Sequence, residues 1–305
     1  MKNKLYLILT AMVLFSCKVE KKDENKYVET IVCTTGMLGD AVEQIVGPNV
    51  KVITLMGPGV DPHLYKATQG DLKSLTNADV IVYNGLHLEG KMGEIFEKLE
   101  KQKHIIVATE GLTKIDYINN TEFQGAQDPH IWFDVALWSK AVQHIGNELI
   151  KLSTDSIADQ FAKNTKAYRT QLSNLSDHVE NELGSLDSSK RILITAHDAF
   201  SYFGRAYNFE VKGLQGISTT SEYGLKDVSD LVNYIVENKI KAVFVESSVS
   251  EKSLQAVVEG CLQKNHQVQI GGQLYSDAMG EAGTPEGTYV GMVKHNVKTI
   301  VEGLK

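Results

Sequence analysis

Short runs of Val, Ile and other apolar residues alternate with longer stretches of helical spacing along the first half of the chain. Apolar β-branched runs are typical of strands, whereas apolar residues three and four apart are typical of one helix face. The predicted strands are Thr30–Thr34, Val50–Leu55, Val80–Asn84 and Ile105–Ala108, and the predicted helices are Met37–Val46, Gln69–Asn77, Gly90–Glu100 and Ala136–Ile150. Strands that alternate with helices predict a parallel sheet flanked by helices on both faces.

The same alternation resumes in the second half of the chain. The predicted strands there are Ile192–Ala196, Glu210–Gly213, Ala242–Glu246 and Gln267–Gly271, and the predicted helices are Ala199–Tyr207, Leu225–Asn238, Ser250–Lys264 and Tyr289–Leu304. The predicted fold class is therefore α/β. It consists of two βα lobes, each with a parallel sheet of about four strands.

A long segment without Gly or Pro, Ser156–Leu183, separates the two alternating regions. Its apolar residues recur at helical spacing on one face: Phe161, Tyr168, Leu172, Leu175, Val179 and Leu183. A helix of this length spans roughly 40 Å and predicts a rigid strut shared by both lobes, with a cleft between them. The alternative, a coiled-coil helix, needs sustained heptads, and the stripe is short of them. The predicted units are a first lobe at 28–154, a linking helix at 155–187 and a second lobe at 188–305.

The first 16 residues have the composition of a secretory signal peptide, with two lysines followed by a short apolar core. That core is shorter than the roughly 20 apolar residues that a membrane-spanning helix needs. It ends in Leu14-Phe15-Ser16-Cys17, which resembles the lipobox of bacterial lipoproteins, so that Cys17 would become the lipidated first residue. The alternative is an ordinary signal peptide with an incidental Cys17. Residues 17–27 are predicted to be a charged, solvated tether.

Charge and cysteine content exclude several classes of protein. The formal net charge is −7, and it becomes −9 when Lys2 and Lys4 leave with the leader. An acidic surface argues against nucleic acid as a partner. Cys33 and Cys261 lie in apolar segments and are predicted to be buried and unpaired. The chain has no CxxC pair that would indicate a structural zinc site.

A candidate functional site is indicated by a tripeptide that occurs twice, as Asp61-Pro62-His63 and as Asp128-Pro129-His130. Proline fixes its own φ and restricts the residue before it, so the histidine after it lies on a stiffened loop. Neutral imidazole is the commonest metal ligand, and two such loops predict one shared metal ion. Trp132 and Phe133 are predicted to pin the His130 loop into the core of the first lobe.

The remaining ligands are expected at the carboxyl ends of strands, where open α/β sheets bind their ligands. His63 follows the second predicted strand, and His130 lies in the long loop after the fourth. In the second half, His197 follows the first strand and Asp277 follows the last. Three imidazoles and one carboxylate suit a divalent transition metal.

Seven stretches together resemble the helical-backbone metal receptors, which are the solute-binding lipoproteins of zinc and manganese ABC importers. They are VDPHLY, NGLHLEG, DPHIWFD, TAHDAFSYF, GLKDVSDLV, AVFVESSVS and YSDAMG, and the resemblance covers essentially the whole mature sequence. It implies two lobes joined by one rigid helix, with His63, His130, His197 and Asp277 as ligands of one metal ion in the cleft. It also implies a monomeric, exported lipoprotein, anchored through Cys17 at the extracytoplasmic or periplasmic face, that delivers its ion to an ABC permease.

The third ligand position bears on which metal is bound. In the family that the chain resembles, Glu at this position tends to accompany manganese and His tends to accompany zinc, and here the residue is His197. Many zinc receptors also carry a His-rich loop in the first lobe, whereas Thr113–Gly125 contains no histidine. The expected ion is Zn²⁺, and Mn²⁺ is the next most favoured ion.

Several other residues have two possible roles. Glu246 ends a strand and could orient a ligand imidazole, or it could only contact a neighbouring loop. His87 is predicted to be a solvent-exposed residue near the start of a helix, and a role as a metal ligand is the less favoured alternative. Asp61 and Asp128 are predicted to brace their loops rather than bind metal. The other histidines are assigned to surface or edge packing: His104, His144, His178, His266 and His295.

Two other functions stay open at this point. A zinc hydrolase needs an open coordination position and a general base, but no HExxH motif is present and Glu246 is the one nearby acid. A surface adhesin that retains the metal-receptor fold is the other alternative.

Overall fold

The computed structural model describes residues 28–119 and 126–305, and its first half is built on a four-stranded parallel sheet with the order β2-β1-β3-β4. The strands are β1 (Thr30–Cys33), β2 (Lys51–Thr54), β3 (Val80–Tyr83) and β4 (His104–Val107). The helices are α1 (Gly36–Val46), α2 (Gln69–Asn77), α3 (Gly93–Leu99) and α4 (Val135–Lys151). Val, Ile and Cys33 fill the buried positions of β1 and β3, which are the two central strands.

The second half repeats this arrangement as a four-stranded parallel sheet with the order β6-β5-β7-β8. The strands are β5 (Ile192–His197), β6 (Glu210–Gln215), β7 (Ala242–Glu246) and β8 (Gln269–Leu274). The helices are α6 (Ser201–Tyr207), α7 (Leu225–Glu237), α8 (Lys252–Gln263) and α9 (Tyr289–Leu304). The prediction of two βα lobes with parallel sheets is confirmed.

Two element boundaries differ from the prediction by three residues, for local reasons, and the others lie within two residues of it. Strand β8 continues three residues past Gly271, to Leu274, because it pairs with β7 as far as Glu246↔Leu274. Helix α3 begins at Gly93 instead of Gly90. The preceding Leu86 and His87 have left-handed backbone angles, with φ of 52° and 63°. The chain then makes short turns before α3, with Leu88 N donating to Gly85 O.

A single helix of 30 residues, α5 (Asp155–Gly184), connects the two halves. At 1.5 Å per residue it is about 45 Å long. Its six predicted apolar residues are all buried, and Thr165 joins the same stripe. The helix packs against α1 and α4 of the first lobe and α9 of the second. It is therefore a strut that both lobes share.

One apolar core runs through both lobes along this strut. Phe133 stacks on Phe200 of the second lobe with ring centroids 4.1 Å apart. The indole N–H of Trp132 donates to the carbonyl of Ser276, also in the second lobe, at 3.0 Å. Trp132 and Phe133 lie in a core that includes residues of the first lobe, as predicted, and both also contact the second lobe, which was not predicted. A sequence pattern marks them as buried but does not say against what.

The predictions for the leader, Cys17 and the tether lie outside the described residues. Within residues 28–119 and 126–305, no helix has the length and apolar character needed to span a bilayer. Cys33 and Cys261 are buried and unpaired, as predicted.

Candidate metal centre

The two Asp-Pro-His tripeptides adopt the same local structure. The backbone N–H of His63 donates to Asp61 Oδ1 at 2.8 Å, and the backbone N–H of His130 donates to Asp128 Oδ1 at 2.9 Å. In each, a short aspartate side chain closes a turn onto the residue two positions later. The two aspartates thus brace their loops as predicted.

His197 and Asp277 come from the second lobe, at the carboxyl edge of its sheet. His197 is the last residue of β5, and Gly213 on the neighbouring β6 leaves no room for a Cβ against the backbone at 197–198. Asp277 follows β8, and Asn296 of α9 holds Tyr275 just before it through hydrogen bonds to both the N–H and the carbonyl. Both side chains therefore extend from fixed backbone.

The structure brings the four predicted residues to one point. One ligand atom from each of His63, His130, His197 and Asp277 lies within 4.8 Å of the others. The Nε2 atoms of His63 and His130 are 3.3 Å apart. The Asp277 carboxylate lies 3.4 Å from His130 Nε2 through Oδ1, and 3.6 Å and 3.3 Å from the Nε2 atoms of His63 and His197 through Oδ2.

Four of these separations are close to the edge length of a coordination tetrahedron. With zinc–ligand bonds of about 2.0–2.1 Å, the edge of a regular tetrahedron is about 3.4 Å. Four separations, which involve both oxygens of Asp277, lie between 3.3 and 3.6 Å, and one ligand atom from each of the four residues lies within 4.8 Å of the others. The donor set and its spacing therefore fit a divalent transition metal ion.

Several buried atoms of the cluster that could bind a metal ion have no hydrogen-bond partner within the described part of the chain. They include both carboxylate oxygens of Asp277 and Nε2 of His197. Buried polar atoms are almost always paired, and a cation would satisfy all three of these. All four side chains of the cluster are at most 3 % exposed.

Burial and charge act on the protonation of the cluster in opposite directions. Burial lowers the pKa of His63 to about 3, against an upward effect from Asp277. Burial alone would raise the pKa of Asp277, but the imidazoles of His197 and His130 outweigh it and hold that pKa below its usual range. Burial alone would lower the pKa of His197, but the carboxylates of Glu246 and Asp277 raise it well above its usual range.

Carboxylates contact the outward-facing nitrogens of two of the imidazoles. Asp128 Oδ1 lies 2.7 Å from Nδ1 of His130. Glu246 accepts the backbone N–H of His197 at 2.8 Å through Oε1, and its Oε2 lies 2.5 Å from Nδ1 of His197. A proton on Nδ1 leaves Nε2 with its lone pair directed at the cluster. The contact of Asp128 with the ring of His130 was not predicted from the sequence, which indicated only that Asp128 braces the loop.

A second set of buried polar residues around the His130 loop was not predicted. Glu89 accepts from Asn84 N at 2.8 Å and Thr34 Oγ1 at 2.7 Å, and Asn84 Nδ2 donates to Pro129 O at 3.0 Å. This network holds the left-handed turn at 85–87, where each non-glycine residue costs about 1–3 kcal/mol. The signal in the sequence was the presence of Asn84 and Glu89 at the two ends of Asn84-Gly85-Leu86-His87-Leu88-Glu89. This segment is typical of a turn, but the sequence does not indicate which groups the two side chains bind.

The other histidines lie outside the cluster in the described residues. His87 is exposed at the rim of the cleft. His266 contacts Ile240 O at 2.6 Å, and His295 contacts Gln273 O at 3.1 Å. These two contacts agree with the edge-packing role expected for both residues.

The two lobes also meet through a hydrogen bond beside the cluster. Thr219, in the loop between β6 and α7, donates its hydroxyl to Asp61 Oδ2 at 2.5 Å. Because Asp61 Oδ1 already holds His63 N, this aspartate links a loop of the second lobe to the His63 loop.

Comparison with known proteins gives a consistent result. The model of the family described as "Zinc-uptake complex component A periplasmic" matches residues 31–303. The manganese-binding lipoprotein MntA of Bacillus subtilis is 53% identical over 275 residues, which are 90% of this chain and 89% of that protein. The zinc-binding protein TroA of Treponema pallidum is 48% identical over 274 residues, 90% of this chain and 88% of that protein. The solved structure of periplasmic TroA superposes with a TM-score of 0.88 and covers 91% of this chain and 99% of that one.

Proposed function

The chain belongs to the zinc-uptake component A family, and we propose that it is a receptor for Zn²⁺ and Mn²⁺ that delivers the ion to the permease of an ABC importer. In this proposal His63, His130, His197 and Asp277 are the ligands of one metal ion per chain. The observation that supports the proposal is the meeting of these four buried side chains, with one ligand atom from each within 4.8 Å of the others.

The donor set supports a receptor rather than a catalyst. Four protein ligands fill a tetrahedral site, whereas a catalytic zinc keeps one position for water or substrate. Glu246, the residue considered above as a general base, contacts His197 instead. The family consists of solute-binding receptors, not enzymes. The adhesin alternative gains no support from the described residues.

The proposal includes both metals for two reasons. The relatives are split, since MntA at 53% identity is named for manganese and TroA at 48% for zinc. Both oxygens of Asp277 also face the imidazoles, so the carboxylate can bind through one oxygen or two. Two-oxygen binding raises the coordination number and suits Mn²⁺ better than a strict tetrahedron does. We expect Zn²⁺ to bind more tightly, following the usual order of divalent affinities.

The cellular context extends the proposal beyond the described residues. Relatives named as lipoproteins support an extracytoplasmic location at a membrane. The finer proposal is lipidation of Cys17 after removal of residues 1–16, with 17–27 as the tether. The lobes at 28–154 and 188–305, joined by 155–187, would then act as a monomer.

Metal titration of the purified, chelator-stripped protein tests the proposal. The wild-type protein is expected to bind one Zn²⁺ or one Mn²⁺ per chain, and His63→Ala to lose most of the affinity for both. His104→Ala is the matched control, because His104 is exposed at the amino end of β4. Wild-type protein that binds neither ion, or His63→Ala protein with unchanged affinity, would contradict it.

A further inference from the structure

A cavity of about 340 Å³ lies between the two lobes and reaches the metal centre. His63 forms part of its wall, together with His87 and Lys91 of the first lobe and with residues 217, 218, 220 and 221 of the second. His130, His197 and Asp277 are not among its lining residues. The cluster is therefore approached from this cavity on the His63 side.

The size of the cavity suits a hydrated cation. Six water molecules at about 30 Å³ each occupy about 180 Å³, so a fully hydrated divalent ion fits in the space. A second inter-lobe cavity, of about 450 Å³ near Asp40 and Met279, has none of the four cluster residues in its wall. A cavity of about 560 Å³ beside β6 and α7 likewise contains none of them.

His87 and His63 both line the 340 Å³ cavity, and His87 is exposed whereas His63 is buried. The backbone φ of His87 is 63°, which is left-handed. The backbone at 84–89 is held by the Glu89 and Asn84 hydrogen bonds, which fix the direction in which His87 leaves the chain. Within residues 28–119 and 126–305 its imidazole makes no hydrogen bond, so a ring nitrogen is available to a metal ion.

We propose that this cavity is the passage by which the metal enters and leaves, and that His87 is a transient ligand that holds the ion on its way to His63. The inference rests on the proposed function. An imidazole at the mouth replaces one water of the incoming ion before the buried site replaces the others. Lys91 lines the same cavity, and its ammonium opposes the entry of a cation.

Stopped-flow measurement of Zn²⁺ association with stripped protein, and of Zn²⁺ release to an excess of chelator, tests the role of His87. The variant is His87→Asn, because asparagine tolerates the left-handed conformation and its amide is a weaker zinc ligand than imidazole. A transient ligand stabilises the ion while it passes through the cavity, but it stabilises neither the free ion nor the ion in its final site. Association and release should therefore slow by the same factor, on the order of tenfold, with an unchanged Kd.

The controls separate this inference from the proposed function. His104→Asn removes an exposed imidazole far from the cavity and should leave both rates unchanged. Lys91→Met should speed association at low salt, and the gain should shrink at high salt because ions screen the ammonium. A weaker Kd with an unchanged association rate in His87→Asn would make His87 a resident ligand and overturn the inference. Unchanged rates in both His87→Asn and Lys91→Met would overturn it as well, whereas wild-type protein that binds no Zn²⁺ would refute the proposed function itself.

Discussion

At the scale of single residues, the candidate metal centre depends on carboxylates that set the tautomer of two of its imidazoles. Asp128 is the clearest case, because one carboxylate oxygen contacts both the backbone N–H and the ring Nδ1 of His130. An aspartate at this position keeps the proton on Nδ1 and the lone pair on Nε2. Such outer partners of ligand histidines typically contribute a factor of about 10–100 to metal affinity.

Asp128→Asn is expected to weaken zinc binding by about 10–100-fold while the fold is retained. The amide can still accept the backbone N–H, but it no longer carries the charge that favours a proton on Nδ1. Competition with a chelator of known affinity measures the change, and circular dichroism checks the fold. Asp116→Asn serves as the control, since Asp116 pairs with Lys140 away from the cluster. Equal zinc affinity in the two variants would remove Asp128 from the role assigned to it.

Proton competition at His197 makes zinc binding depend on pH. The carboxylates of Glu246 and Asp277 raise the pKa of His197, so the stripped protein carries a proton there at neutral pH. Zinc must displace that proton. Below the raised pKa of His197 each unit fall in pH therefore lowers the affinity by about tenfold, and the decline begins at a higher pH than the titration of a free imidazole.

Calorimetry in buffers of different ionisation enthalpy counts the protons released and is expected to find one per zinc ion at neutral pH. His63 adds little to this count because burial lowers its pKa to about 3 and keeps it neutral. An affinity that is flat above pH 7 and falls only below about 6.5 would mean that His197 titrates like a free imidazole.

At the scale of elements, the strut is held by close contact between α4 and α5. Gly146 of α4 faces Thr165 of α5, and a Cβ on Gly146 would lie 2.5 Å from Thr165 Oγ1 and 2.7 Å from its Cγ2. Thr165 is buried, and its hydroxyl donates to Phe161 O at 2.7 Å, so it has little freedom to move away. The small residue lets the two helices approach each other.

Gly146→Ala is expected to lower the free energy of unfolding by about 1–3 kcal/mol through overpacking, despite the better helix propensity of alanine. Chemical denaturation of the stripped protein measures the loss. In a Thr165→Ala background the same substitution should cost nothing or stabilise, because the clashing atoms are gone. An equal loss in both backgrounds would show that the contact with Thr165 is not the cause.

At the scale of the whole molecule, the lobes are joined by more than the strut. The core is continuous, and hydrogen bonds cross between the lobes, from Tyr202 OH to Asp128 O at 3.0 Å and from Tyr289 OH to Trp132 O at 2.7 Å. A 30-residue helix and a shared core both oppose wide hinge bending. We therefore expect metal exchange to require only local movement near the cleft.

Small-angle scattering is expected to give the same radius of gyration for stripped and zinc-loaded protein. Zinc at 100 times its Kd should nevertheless stabilise the native state by about 2.7 kcal/mol, because it binds the folded chain alone. The melting temperature should rise by about 5 °C or more. A clear fall in the radius of gyration on loading would indicate a wide closure of the lobes, contrary to this expectation.

The sequence by itself determined the alternation of strands and helices, the length and buried stripe of α5, and the identity of the four clustered residues. Each of these follows from local chemistry: side-chain period, the stiffness of Asp-Pro-His, and the position of residues at strand ends. Within each lobe the carboxyl ends of the parallel strands meet at one edge of the sheet, which places two of the four residues together. That the two edges face each other was decided by the tertiary structure.

Only the tertiary structure decided which side chains and loops contact one another, between the two lobes and around the cluster. Trp132 contacts Ser276, Thr219 contacts Asp61, and Asp128 reaches the ring of His130 through the geometry of its turn. The cavity beside His63 likewise exists only once both lobes are in place. These contacts join residues far apart in the chain or depend on side-chain direction, and neither property leaves a periodic pattern in the sequence.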